Sequence, residues 1–344
     1  MNTSCHDFLG NRDLFVVKKW DQAQVKHLEQ AEDKSHFIVK ARTEGQPEET
    51  VLCRSVVVAA GIQLVPKIPA FRNKIPENIA QLHTASYRNP ESIPSGAVLV
   101  VGSAQSGCQI CEDLLSAGRE VYLCTSKAGR VPRRYRGRDI VEWWVDMGFW
   151  DVTYASLEDK SASRVPQPQV SGVGRYGHTI SLQNLARQGA TILGRLHDVE
   201  ENTLILGDEA AAHVRHADEI SQRFKDDVDA YLEKAGNEPP PKEDDPADAP
   251  DSEAKCVSSI RRLNLREADI NTVIWATGFT GDFGWIHLPV FDSNGMPVHN
   301  RGISNVTGLY FIGFPWLNKR KSGIIYGIED DAQYIADSIA KQLA

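Results

Sequence analysis

The sequence predicts an α/β protein, and three observations carry that expectation. Residues 98–118, VLVVGSAQSGCQICEDLLSAG, pass from an apolar run through a glycine turn into an amphipathic stretch closed by Gly118. That order spells buried strand, tight turn and helix, with glycine where a helix end needs a left-handed residue. Two more apolar runs end in glycine, VVVAAG at residues 56–61 and VIWATG at 273–278, one on each side of that unit. A sustained run without alternation is the pattern of a strand covered on both faces, as in a parallel sheet.

In chain order, Val25–Leu28, His36–Lys40 and Thr50–Cys53 read as short strands leading into VVVAAG. Residues 62–97 carry prolines and no sustained period, so they read as a crossover between domains. The strand–turn–helix unit follows, then a second strand at Val121–Cys124. Ile220, Phe224, Val228 and Tyr231 share one face of a helix expected over 217–235. Residues 237–255, NEPPPKEDDPADAPDSEAK, are dense in proline and acid, which predicts a disordered surface loop. A last strand, Leu309–Gly313, precedes a terminal helix with Ile328, Ala332, Ile335, Ile339 and Leu343 facing inward. A chain of 344 residues is long for one domain. The boundaries read as a split portion, 1–92 and 272–344, around an inserted domain, 93–271.

The charge balance excludes some classes of partner. With 38 basic and 46 acidic residues the chain carries a net −8, so neither nucleic acid nor an anionic membrane surface is expected. No run approaches the ~20 apolar residues of a spanning helix, and the first 20 residues lack a signal-peptide pattern. Six scattered cysteines fit reduced thiols. These features predict a cytoplasmic protein. Metal-ligand spacings and hydrolase motifs are missing from the sequence, so no metal site is expected.

Gly102-Ser103-Ala104-Gln105-Ser106-Gly107 is G-x-A-x-x-G, one substitution from the dinucleotide fingerprint. Gly102 makes the turn, Gly107 allows close helix–strand packing, and the helix N-terminus offers unpaired N–H groups to a pyrophosphate. About 20 residues on, chains that bind NAD place an acid for the ribose hydroxyls. Here stand Cys124-Thr125-Ser126-Lys127, followed by RVPRRYRGR with Arg130, Arg133, Arg134, Arg136 and Arg138. Guanidinium forks match a 2′-phosphate, so the expected nucleotide is NADPH, held by Ser126, Lys127, Arg133 and Arg134. A solvated basic loop is the alternative.

As a set, these motifs resemble the flavin-containing monooxygenase-like flavoproteins. The turn at Gly102–Gly107 is similar to that family's NADPH site, and QLHTASYRNP, with His83 and Tyr87, resembles the second half of its signature. Glu77 and Ile79 occupy the Phe and Gly positions of the first half. VVVAAG ending at Gly61, VIWATGF with Ala276, Thr277 and Gly278, and GLYFIG ending at Gly313 resemble its two crossover motifs and terminal FAD segment. The resemblance implies a Rossmann-like NADPH-binding domain inserted in a split FAD-binding domain. It implies an NADPH-consuming flavin monooxygenase acting with O2 on a small organic substrate. It leaves the catalytic residues, the substrate and the oligomeric state unread.

The family's own FAD fingerprint, expected well ahead of the NADPH turn, has no counterpart before residue 98, where Gly10, Gly45 and Gly61 stand singly. The FAD domain therefore reads as N-terminally incomplete, and FAD is expected to bind weakly or not at all. An impaired NADP-binding remnant is one alternative function. Another is a flavoprotein disulfide reductase using Cys108 and Cys111, although the two thiols share a helix face with Leu115 that suits burial. Trp143, Trp144, Phe149 and Trp150 suit a pocket or interior packing equally.

Overall fold

A computed structural model describes residues 21–236 and 238–344. Antiparallel strands β1 (Ala23–Gln30), β2 (Phe37–Thr43) and β3 (Glu49–Cys53) form a meander, followed by β4 (Val56–Val58). Next come the short β5 (Val65–Pro66), then β6 (Ala80–His83), β7 (Ala97–Val101), α1 (Gln105–Ser116) and β8 (Val121–Cys124). A hairpin of β9 (Arg134–Tyr135) and β10 (Arg138–Asp139) leads to α2 (Ile140–Asp146) and α3 (Leu182–Arg187). Then follow β11 (Thr191–Leu193), β12 (Leu196–Glu200), β13 (Thr203–Leu206), α4 (Ala210–Ala235), β14 (Arg262–Asn264) and β15 (Ile270–Trp275). The chain closes with β16 (Phe279–Thr280), β17 (His299–Asn300), β18 (Ile303–Ser304), β19 (Leu309–Phe311) and α5 (Ile328–Leu343).

Two discontinuous units result. One takes the described residues up to Ala59 with Asp282–Ile312 and Ala332–Ala344; the other takes Ala60–Gly281 and Gly313–Asp331. The first unit holds the meander and a four-stranded sheet, β17-β18-β19-β4, in which β4 runs parallel to β19. Here the sequence expectation needs correcting. As the edge strand of that sheet, β4 leaves Val57 43% exposed, so the run is not covered on both faces.

The second unit is built on a five-stranded sheet ordered β11-β8-β7-β15-β6, with every neighbouring pair parallel. Successive side chains of β7 point to opposite faces. Val98 and Val100 pack with Cys108, Cys111 and Leu114 of α1, while Leu99 and Val101 pack with Leu204, Leu206 and Leu265 on the other side. A sheet sandwiched this way needs apolar residues at every position, and all five residues of β7 are buried. The second cover is the antiparallel sheet β12-β13-β14.

Several elements differ from the sequence expectation for identifiable reasons. β6 lies within the stretch read as crossover; at four residues it is too short to show a period. α4 begins at Ala210, seven residues early, because the alanine-rich start AAAHVRH favours helix without an apolar stripe. Residues 238–255, read as a disordered surface loop, lie largely exposed but are anchored at a few points. Asp248 is buried against Arg130, Lys225 and Ser221, and Pro246 O and Ala247 O accept from Arg187 and Ser181. Polar anchors compensate for the missing apolar area. On α5, Ile335 is buried, whereas Ala332 and Leu343 are exposed.

Candidate dinucleotide-binding site

β7 and β15 lie side by side, and the connections leaving them part company: β7 continues through α1 to β8, whereas β15 returns toward β5. Such a point, beyond the carboxyl ends of parallel strands, is where open α/β sheets hold ligands. The glycine turn occupies it. Gly102 adopts φ +108°, and a Cβ there would stand 2.5 Å from Ala276 O. A Cβ on Gly107 would overlap the carbonyl oxygen of Gly102. Both glycines are thus demanded by backbone contact, one by conformation as well. Gly118 ends α1 at φ +75°.

Past the turn, Ala104 takes the N-cap position without a side-chain cap. No described residue accepts a hydrogen bond from the N–H groups of Ala104, Gln105, Ser106 or Gly107. Ala104 and Ser106 are exposed and Ser103 is buried. Ser103 is fixed from the neighbouring strand: its N–H donates to Ser126 Oγ at 3.2 Å, and Ser126 N–H donates to Ser103 Oγ at 2.9 Å. The turn is rigid on one side and offers donors on the other. It can therefore take an anion at the positive end of α1.

Three glutamines complete the enclosure, and only Gln105 was readable from the motif. Gln105 and Gln109 donate to Ser171 O at 2.5 and 3.0 Å, Gln105 Oε1 accepts from Val170 N–H, and Gln169 Nε2 reaches Ser103 O. The residues from Gln169 to Ser171 are thereby tied to the first turns of α1. Glu112, itself buried, holds the same segment through Val173 N–H at 2.8 Å and His178 at 2.5 Å. A contact this distant in sequence has no local signature.

The five arginines after β8 are all engaged within the protein. Arg130 pairs with Asp248 and Asp218, Arg133 with Asp139 at 2.6 Å, and Arg136 with Asp229 at 2.7 Å. Arg138 bridges to Asp146 at 2.8 Å and covers the Trp143 ring, while Arg134 donates to Tyr176 O and Gly177 O. Burial alone would raise the Asp248 and Asp229 carboxyls, yet their basic neighbours hold both below the usual range. Lys127 stands exposed beside Ser126.

The residues resembling flavin-side motifs fall in two places. Gly61, at φ +66°, and Gly278, at φ +82°, each have open space where a Cβ would stand. Their segments meet in the β5–β16 ribbon, Lys67 N–H donates to Gly278 O, and Thr277 Oγ1 donates to Lys67 O. His83 joins them: its Nε2 lies 2.9 Å from Gly278 O and its ring meets Phe279 edge-on, so it bridges segments. Gly313, at φ +77°, sits instead beside Ile328. Tyr87 reaches back to α1 through Asp113 at 2.6 Å.

The dithiol alternative does not survive this geometry. Cys108 and Cys111 are fully buried in the sheet–helix core, and burial pushes the Cys108 thiol up to about 12 and Cys111 well above its ordinary value. A reactive thiol needs access and a low pKa. Trp143, Trp144, Phe149 and Trp150 form a cluster with Phe224 and Val228, Trp144 stacking on Phe149 at 4.8 Å. They pack the interior.

Known proteins are similar to this chain. The family model described as L-lysine 6-monooxygenase/L-ornithine 5-monooxygenase matches residues 17–136. An uncharacterized oxidoreductase CzcO of Bacillus subtilis is 28% identical over 93% of this chain, and a CzcO-like oxidoreductase of Geobacillus kaustophilus is 29% identical over 84%. The chain covers 74% of the first relative's length and 65% of the second's. Among solved structures, a flavin-containing monooxygenase from Stenotrophomonas maltophilia superposes with a TM-score of 0.54 at 14% identity, covering 94% of this chain and 71% of that one. The FAD-bound cadaverine monooxygenase of Erwinia amylovora gives 0.50 at 13%, covering 90% and 65%. The chain thus has the fold of flavin monooxygenases and resembles these oxidoreductases in sequence. Among the described residues, no helix is long and apolar enough to cross a membrane.

Proposed function

We propose that this chain is the NADPH-handling body of a flavin-dependent monooxygenase that acts with O2 on a small organic substrate. One observation carries the reading: the unpaired N–H groups of Ala104–Gly107, with Ala104 and Ser106 exposed, beside the point where β7 and β15 part. That cradle fits a pyrophosphate, since a fixed turn, a helix N-terminus and two glycines without side chains converge there. Ser126 shapes the turn and Lys127 supplies the cation nearest to a 2′-phosphate. In the same reading, the NADPH domain is inserted into a split FAD domain, and the open glycines Gly61 and Gly278 are where a flavin approaches the backbone. FAD, when bound, supplies the redox chemistry that joins NADPH oxidation to O2; the protein's share is to hold, orient and exclude water.

Titration of the purified chain with NADPH and NADH tests the nucleotide. NADPH is expected to bind more tightly, by roughly 1.5 to 3 kcal/mol for a charge-assisted phosphate contact, and equal affinities would refute the assignment. An absorbance scan reads the flavin. Flavin peaks with NADPH-dependent O2 uptake support the monooxygenase, and a colourless protein that neither binds added FAD nor oxidises NADPH refutes it for this chain.

A further inference from the structure

α4 adds two histidines to the residues that follow β8. His213 and His216 stand three apart, hence on one face of the helix. His213 Nδ1 lies 3.0 Å from Thr125 Oγ1, and that hydroxyl donates its single proton to Leu193 O at 2.9 Å. Thr125 must therefore accept from His213, which fixes the proton on Nδ1 and leaves Nε2 as the nitrogen that titrates. Thr125 precedes Ser126, itself bonded to Ser103 of the glycine turn, and Lys127 comes next. Two adjacent residues of one segment thus bond, one to the turn and the other to α4.

The charges gathered there are mostly positive. His213 faces Lys127, Arg195 and His216, against Glu209; His216 faces Lys127 and Arg223, against Glu219. Glu209 is already engaged by His197 at 2.8 Å. Burial is the main cause that holds the two imidazoles below their ordinary value; the neighbouring cations add to it, and Glu209 and Glu219 oppose it. Cations that discourage one another's charge are relieved by an anion placed among them.

We propose that Thr125–Lys127, His213 and His216 form a titratable phosphate subsite, so that preference for an adenosine bearing a 2′-phosphate grows as pH falls through the histidine range. Lys127 and His216 face the phosphate; His213 is a positioning residue acting through Thr125. The proposal rests on the nucleotide reading above.

The test compares adenosine 2′,5′-bisphosphate with 5′-AMP by calorimetry on the full chain, at about pH 6 and about pH 8. The ligand's own phosphate titrates near pH 6, but equally for every protein, so slopes are compared between wild type and variant. Wild type is expected to favour the bisphosphate by roughly tenfold or more, with Lys127→Met removing most of that preference. His216→Gln is expected to flatten the pH slope relative to wild type. Proton NMR of the wild-type imidazoles supplies a readout that needs no variant: both histidine pKa values should rise when the bisphosphate binds, and not with 5′-AMP. Parallel slopes or unmoved imidazoles overturn the subsite while sparing the nucleotide reading, whereas equal binding of the two ligands overturns the preference for NADPH and the subsite together. Failure of both ligands to bind overturns the nucleotide reading and the subsite with it.

Discussion

The Gly102–Gly107 turn and the Arg130–Arg138 run carry the same promise in the sequence, since each offers donors that suit phosphate. The structure separates them by what is left over. At the turn, the N–H groups of Ala104–Gly107 find no partner among the described residues. In the run, every guanidinium is answered by a carboxylate or a carbonyl. A donor already satisfied must lose a bond to meet a ligand, whereas an unpaired one exchanges only water. The number of donors is therefore a weaker guide than their occupancy.

The largest expected effect falls on the turn. Gly107→Val sets a branched side chain against the Gly102 carbonyl, a backbone contact that cannot yield without moving α1 off β7. A loss on the order of 4 kcal/mol or more is expected, with nucleotide binding abolished. Thermal unfolding and NADPH titration check it, and a variant that keeps wild-type affinity would mean that the turn is not the site.

Next comes the arginine run, where the expected loss is in stability and not in binding. Asp248→Ala leaves the buried Arg130 with Asp218 as its remaining carboxylate, a loss of about 3 kcal/mol. The residues around Asp248 should become sensitive to limited proteolysis, with NADPH affinity little changed. Acid should reproduce the effect. The folded Asp248 carboxyl is held below its unfolded value, so its stabilisation is complete above the unfolded pKa and is lost as pH falls through the lower folded one. Protection of this segment that persists unchanged to strongly acid pH would argue against the latch.

A sharper version of the comparison substitutes one residue from each region. Lys127→Ala should narrow the NADPH-over-NADH preference by roughly 1.5 kcal/mol or more, while Arg133→Ala, whose side chain is committed to Asp139, should leave it within about 0.5 kcal/mol. Reversed results would return the phosphate to the arginines.

What was legible follows the same division. The strand–turn–helix unit, the two glycine-terminated runs and the meander before them rest on local patterns, and each appears where its residues predict it. β6, the cover sheet β12-β13-β14 and the Gln169–Ser171 segment across α1 rest on pairings distant in sequence. Composition also misled at residues 238–255, because a polar segment can be held by a few buried ion pairs that no hydrophobicity count registers. His213 was invisible for a related reason: its role depends on a hydroxyl 88 residues away.

The smallest expected effect concerns the thiols beneath the turn. Cys108 donates to Ser103 O at 3.3 Å and accepts from Gln169 Nε2 at 3.2 Å, so it packs and braces the turn from below. Cys111 is equally buried, with its thiol held protonated by burial. Neither should react with an alkylating reagent in the native protein, and both should react once it is unfolded, as mass spectrometry of trapped peptides would show. Cys111→Ala removes one buried sulfur, costing about 1 kcal/mol, and should leave NADPH affinity unchanged. Rapid native labelling at Cys108 or Cys111 would reveal an opening of α1 from the sheet. The turn would then owe its unpaired donors to mobility and not to a built cradle, and the contrast with the arginine run would fail at its stronger end.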